Sequence, residues 1–204
     1  MAKANKNNSA STFNTYITLG ANNHTDTIRE KDDFYATPPL AIHQLMDIEK
    51  FDTKIWEPCC GMNHITDILR NNGYEVRTSD IIDRVGDGSV EILDFLNSNE
   101  QWDGDIITNP PYKGVTDFVY KSLESITDGH KVAMFLKLTF LETKKRRELF
   151  EKYPPKYVYV ASSRLGCSQT GEFDENGNSG SAVCYCWYIW EKGYKGDTIL
   201  RWFN

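Results

Sequence analysis

Residues 109–112 read Asn-Pro-Pro-Tyr directly after the apolar run Asp105–Thr108, and these four residue types describe an acceptor site for an amine. An exocyclic amine conjugated to a ring or carbonyl is a poor nucleophile because its lone pair is delocalised. A site that accepts hydrogen bonds from both N–H groups localises that pair toward an electrophile. Asn109 offers its side-chain oxygen and Pro110 its backbone carbonyl, while the rings of Pro110 and Pro111 restrict φ and hold both acceptors in place. Tyr112 offers a flat face for a planar substrate, and such stacking is worth ~1–3 kcal/mol per base in single-strand binders. No strong general base is required.

Three acids follow other apolar runs. Glu57 ends the run in Ile55-Trp56-Glu57-Pro58-Cys59-Cys60-Gly61, a strand that stops at an acid, a proline and a tight glycine turn. The turn lacks the dinucleotide pattern G-x-G-x-x-G, because Asn63 stands where the second glycine would. An ordinary turn with a surface Glu is the plainer alternative. Asp80 follows Thr78-Ser79, nineteen residues beyond Gly61, where an acid can accept hydrogen bonds from a ribose diol. Asp94-Phe95 pairs a carboxylate with an aromatic able to stack a purine, or else is a helix-capping Asp. A rigid turn without a ligand is the plainer use of Asn-Pro-Pro-Tyr, and three earlier strand ends bearing acids weigh against it.

The elements that must position these residues alternate. Short β-type runs occur at Lys54–Glu57, Glu75–Ser79, Ser89–Leu93, Asp105–Thr108, Lys131–Leu136 and Tyr157–Ala161, with helical stretches at His64–Asn72, Val115–Ile126 and Thr143–Tyr153. Thr37 before Pro38 and Pro39 reads as the cap of an earlier helix. This spacing predicts a doubly wound, mostly parallel α/β sheet whose ligands sit at the strand carboxyl ends. The aromatic run Ala182–Trp190 reads as a last, antiparallel strand, and as core in preference to a stacking platform. Residues 1–31 read as a polar tail or arm and 32–204 as a single domain. Residues 162–181, with four glycines, read as a mobile loop.

Taken together, Glu57-Pro58-x-x-Gly61, Asp80, Asp94-Phe95 and Asn109-Pro-Pro-Tyr112 resemble the class I S-adenosylmethionine-dependent amino-methyltransferases, and more closely the DNA N6-adenine methyltransferases of phages and prophages. The segment Asp33-Phe34-Tyr35-Ala36-Thr37-Pro38 is similar to that family's N-terminal cofactor motif, and its order before the catalytic motif matches the γ-type arrangement. The resemblance implies a seven-stranded Rossmann-like sheet. It places Phe34, Tyr35, Ala36, Thr37, Glu57, Pro58 and Gly61 around the methionine moiety of S-adenosylmethionine, Asp80 at its ribose, and Asp94 and Phe95 at its adenine, with Ile81 also in the cofactor set. Asn109, Pro110, Pro111 and Tyr112 would hold the target amine. A duplex target would have its adenine flipped out, at roughly a few kcal/mol. Asn63 departs from the usual small residue, which bears on cofactor affinity. With no separate target-recognition domain, sequence specificity would rest on the 162–181 loop, the 13–33 arm or a partner.

Composition narrows the rest. At 204 residues, 40% hydrophobic and 25% charged, the chain has material for one sizeable core. The net charge of −6 argues against clamping nucleic acid with the whole surface. From 137 to 164, however, eight basic residues face three acids, a local +5 that leaves −11 for the remainder. Lys144, Lys145, Arg146, Arg147 and Arg164, with Lys113 beside the catalytic turn, are thus candidates for phosphate contacts with DNA, although a solvated helix face is the plainer reading. Phe173 is a candidate second stacking face. No run approaches the ~20 apolar residues that cross a bilayer, and the start lacks a secretory pattern. The expected location is cytoplasmic, in a host cell if the gene is a phage's. Five cysteines and four dispersed histidines lack zinc spacing, so no metal is expected. Competing readings are a glutamine-amide or RNA methyltransferase and a non-catalytic protein that retains the fold.

Overall fold

The computed structural model describes residues 33–174 and 183–204. The arm read over 1–31, the 175–181 part of the loop and the first residue of the strand read over Ala182–Trp190 lie outside the described residues. The chain runs α1 (Pro39–Ile48), β1 (Lys54–Glu57), α2 (His64–Asn71), β2 (Glu75–Asp80), β3 (Glu91–Ile92), β4 (Asp105–Thr108), α3 (Val115–Ser125), β5 (Lys131–Lys137), a 3-10 turn (Leu138–Leu141), α4 (Lys144–Lys152), β6 (Tyr157–Ala161), β7 (Tyr185–Glu191) and β8 (Ile199–Phe203).

The strands form one sheet in the order β3-β2-β1-β4-β5-β7-β6-β8. The first five in this order are mutually parallel. β7 enters antiparallel between β5 and β6, and β8 returns parallel to β6.

The period of two in the strands divides the core. Trp56, Ile106, Val132, Met134, Leu136, Tyr188 and Trp190 project to the side where Val119 and Leu123 of α3 and Leu149 of α4 pack. Their neighbours Ile55, Ile107, Ala133, Phe135, Trp187 and Ile189 project to the other, against Ile42 and Leu45 of α1 and Ile65 and Leu69 of α2. Strands buried on both faces read as continuous apolar runs, which is why β5 and β7 stand out in the sequence. The large aromatics of β7 are fully buried with their polar tips satisfied. Trp187 donates its indole N–H to the carbonyl of Ala41, and Trp190 donates to that of Tyr153, both at 3.0 Å.

Three elements differ from the sequence expectation. The strand read over Ser89–Leu93 shortens to Glu91–Ile92, an edge position with one neighbour. Thr37 caps nothing: Pro38 is the N-cap, no side chain bonds the free amides of α1, and Thr37 is buried. An eighth strand, β8, extends the expected seven. Four of its five residues are exposed, so it lacks the apolar signature of the inner strands.

Candidate active site

Because β1, β2, β3 and β4 are parallel, the acids and the Asn-Pro-Pro-Tyr turn that end them arrive at one edge of the sheet. There they border a cavity of about 740 Å3, within the ~300–1,000 Å3 of small-molecule sites. All eleven residues assigned to the cofactor line it: Phe34, Tyr35, Ala36, Thr37, Glu57, Pro58, Gly61, Asp80, Ile81, Asp94 and Phe95. So do Asn109, Pro111 and Lys113, whereas Pro110 and Tyr112 do not.

Glu57 is almost wholly buried and accepts a short hydrogen bond from the Thr66 hydroxyl. Burial, helped by the negative charges of Asp80 and Asp67 and opposed by the Thr66 bonds, holds its carboxyl well above the usual range. Asp80 is engaged on both oxygens. Oδ2 accepts the Gly61 amide at 2.9 Å, while Oδ1 accepts the Ile82 amide and the Arg84 guanidinium, each at 3.1 Å. Arg84 also lies over the Phe34 ring, 5.2 Å from its centroid. Sequence reading passed over Arg84. Its signal was modest: the one basic residue between Asp80 and Val90, four positions past an acid.

The glycine turn explains its own residues. Gly61 has φ of +54°, and a Cβ there would stand 2.4 Å from Cε2 of Phe34, so only glycine lets the Phe34 ring approach the turn. Asn63, the departure from the small-residue pattern, has φ of +63° and ψ of +18°. Among non-glycine residues Asn tolerates that left-handed conformation best, which accounts for the type found there. His64 opens α2, and its Nε2 pairs with the carbonyl of Gly171 at 3.0 Å. Phe173 meets the His64 ring edge-on, which fixes the first half of the expected loop against the glycine turn.

Asp94 makes its own turn. Its oxygens accept the Asn97 amide at 3.2 Å and the Asn97 side-chain amide at 2.8 Å. Phe95 is buried, packed edge-on to Trp56 and parallel to Phe118, so it forms the floor of the cavity.

At the Asn-Pro-Pro-Tyr turn, Asn109 donates Nδ2–H to the carbonyl of Tyr35 at 2.7 Å. A carbonyl can only accept, so the amide is oriented with Oδ1 turned away, and Oδ1 is buried with no hydrogen-bond partner among the described residues. Tyr112 stacks on Tyr35 with ring centroids 5.4 Å apart. Its hydroxyl donates to that of Tyr185 at 3.3 Å and lies 3.6 Å from Cys167 Sγ. Lys137 Nζ sits 4.7 Å from the Tyr112 ring centre. Burial pushes the phenol of Tyr112 well up and the thiol of Cys167 to about 11, so Cys167 is a neutral thiol at physiological pH.

The basic residues of 144–147 and Arg164 lie outside the cavity lining. Lys144 and Lys145 are exposed, and Arg147 pairs with Glu151 at the surface. Arg146 instead turns its guanidinium onto the carbonyls of Thr139, Phe140 and Glu142, at 3.0–3.2 Å, closing the 3-10 turn. Among the described residues no group of His, Cys, Asp and Glu has the geometry to hold a metal ion, and no helix is long and apolar enough to cross a membrane.

No family model and no curated protein matches the chain, whereas solved structures do. A Listeria monocytogenes protein provisionally designated a class I S-adenosylmethionine-dependent methyltransferase superposes with a TM-score of 0.58 at 13% identity, over 86% of this chain and 67% of its own. A Pyrococcus horikoshii protein provisionally designated an RNA methyltransferase gives 0.56 at 17%, over 86% and 95%. The methyltransferase subunit of a type I restriction-modification system from Streptococcus thermophilus gives 0.54 at 13%, over 84% of this chain and 48% of its own length. At these identities the likeness is one of fold. The strand order, the antiparallel β7 and these superpositions together establish that the chain has the Rossmann-like α/β fold of class I methyltransferases.

Proposed function

We propose that this protein transfers a methyl group from S-adenosylmethionine to an exocyclic amine, with N6 of adenine in DNA as its substrate, in the cytoplasm. The observation that carries the reading is the buried, unpartnered Oδ1 of Asn109. An unsatisfied buried acceptor costs about 1–3 kcal/mol, and a target N–H donor would satisfy it.

The residues present suit the cofactor. The cavity has the size for it, Gly61 lets the Phe34 ring close against the glycine turn as part of the cavity wall, and Glu57 offers a buried carboxyl to a cationic ligand. Glu57, Pro58, Gly61 and the segment 34–37 would hold the methionine moiety, Asp80 and Ile81 the ribose, and Asp94 and Phe95 the adenine. When bound, S-adenosylmethionine supplies an electrophilic methyl carbon on a sulfonium that leaves as a neutral thioether. Asn109 Oδ1 and the carbonyl of Pro110 accept the amine's two N–H groups and direct its lone pair. Catalysis then rests on positioning and on fixed acceptors, and the surplus proton of the methylated amine passes to water. Lys113 at the cavity mouth, and Lys144, Lys145, Arg147 and Arg164 beyond it, would contact phosphates. DNA as the polymer rests on the motif resemblance, since the structures with this fold include both a restriction-modification methyltransferase subunit and a protein designated an RNA methyltransferase.

The test incubates purified protein with radiolabelled S-adenosylmethionine and, separately, unmethylated duplex DNA, single-stranded DNA and total RNA, beside an Asn109→Ala control. Label recovered as N6-methyladenine in DNA and lost in the control is the expected result. Label in RNA alone would move the reading to an RNA enzyme. Cofactor binding without any transfer would move it to a protein substrate or a non-catalytic role.

A further inference from the structure

The segment 33–36 reads by resemblance as a cofactor motif, yet several of its contacts go elsewhere. Asp33 Oδ2 accepts the backbone N–H of Lys113 at 2.9 Å. The carbonyl of Tyr35 accepts Nδ2–H of Asn109 at 2.7 Å, and the Tyr35 ring stacks on that of Tyr112 with an interplanar angle of 27°. Ala36 exchanges both backbone hydrogen bonds with Ser168, at 2.8 and 3.0 Å. Two of these contacts bracket the Asn-Pro-Pro-Tyr turn, one on each side of the two prolines.

We propose that Tyr35 is a positioning residue for the amine-accepting turn, its carbonyl setting which end of the Asn109 amide faces the substrate and its ring fixing where that carbonyl lies. This rests on the amine-methylation reading. A primary amide has a donor end and an acceptor end of nearly equal shape, and only the acceptor end serves an amine. With the amide reversed, two N–H groups would meet two N–H groups and the target's lone pair would be drawn to the wrong partner. The Tyr35 carbonyl removes that ambiguity because it cannot donate. The carbonyl is itself placed by the ring, which lies against a surface unable to yield: Tyr112 is pinned by its hydroxyl to Tyr185 and Cys167. Asp33 ties the other end of the turn to the same segment, and Ser168 holds the segment from outside.

Tyr35→Ala removes the ring and leaves the carbonyl held only through its own peptide unit, by the Ala36 N–H bond to Ser168. A misplacement of about 1 Å costs on the order of 10²-fold in rate, so kcat at saturating S-adenosylmethionine is expected to fall by that order, beyond whatever change in cofactor affinity calorimetry records for the loss of a lining residue. Tyr35→Phe, which keeps the ring, recovers most of the loss. Asp33→Ala gives a smaller loss of the same kind, and serves if Tyr35→Ala does not fold. Independently of turnover, the side-chain amide protons of Asn109, assigned by NMR against Asn109→Ala, are expected to be shifted and exchange-protected in the wild type and in Tyr35→Phe. They should merge with exposed amides in Tyr35→Ala. An Asn109 amide signal unaltered in folded Tyr35→Ala would overturn the proposal, as would weakened cofactor binding with kcat intact, or equal losses in Tyr35→Phe and Tyr35→Ala. A wild type that methylates nothing, but shows the expected amide signals, would sink the amine-methylation reading and leave the hold of Tyr35 on Asn109 standing.

Discussion

Replacing Gly61 with alanine tests the geometry at the base of the cavity. The added Cβ would lie 2.4 Å from Phe34 Cε2 and 3.0 Å from Cδ2. Ordinary carbon contact begins near 3.5 Å, so the ring must retreat by about 1.1 Å. The backbone contributes separately, since φ of +54° at Gly61 costs an L-residue roughly 1–2 kcal/mol. Overpacking adds ~1–3 kcal/mol, and the half-buried Phe34 ring, on a non-helical segment, yields toward the lower end. The sum is about 2–3 kcal/mol, or roughly 5–10 °C in Tm for a domain of this size. Thermal unfolding of Gly61→Ala, Phe34→Ala and the double variant forms a cycle. In the Phe34→Ala background only the backbone part, ~1–2 kcal/mol, should remain. Calorimetry should show weaker S-adenosylmethionine binding in Gly61→Ala, because the displaced ring lines the cavity. Equal destabilisation with and without the Phe34 ring would refute the close approach on which the reasoning depends.

Further predictions concern charge. The folded protein holds a proton on Glu57 more tightly than the unfolded chain does, so the stability of the free protein should fall as pH rises from the usual carboxylate range through the raised pKa. Glu57→Gln should flatten that dependence in pH-resolved unfolding curves. A cationic ligand favours ionised Glu57, so binding of S-adenosylmethionine should tighten with pH over the same interval and release a proton, detectable by calorimetry in buffers of different ionisation enthalpy. On α4, combined Lys144→Ala, Lys145→Ala and Arg147→Ala should weaken DNA binding and lower its logarithmic salt dependence by ~0.9 for each phosphate no longer neutralised. Arg146→Ala should instead lower Tm, by about 1 kcal/mol in stability, with the salt dependence unchanged, because its guanidinium serves the carbonyls of residues 139, 140 and 142.

The sequence by itself determined most of the elements and which residues stand at their ends along one edge of the sheet. The strands at Lys54–Glu57, Asp105–Thr108 and Tyr157–Ala161 appear with the bounds the sequence predicts, because the inner residues of strands buried on both faces read as short apolar runs. Glu57 and Asp80 end, and Asn109 directly follows, three parallel strands that are neighbours in the sheet, so their meeting follows once the strands are parallel. Tertiary structure alone decided the rest. The orientation of the Asn109 amide depends on a carbonyl 74 positions away, and the inward turn of Arg146 depends on carbonyls freed by a 3-10 turn that has no periodic signature. The engagement of Asp80 by Arg84 and the left-handed backbone of Asn63 are likewise products of the folded loops. β8 was missed because its residues are mostly exposed, and a half-solvated edge strand has no obligatory pattern. Backbone period is written within a few residues by the need to bury apolar faces. The partner of a polar group is chosen only after collapse has set which donors and acceptors are within reach.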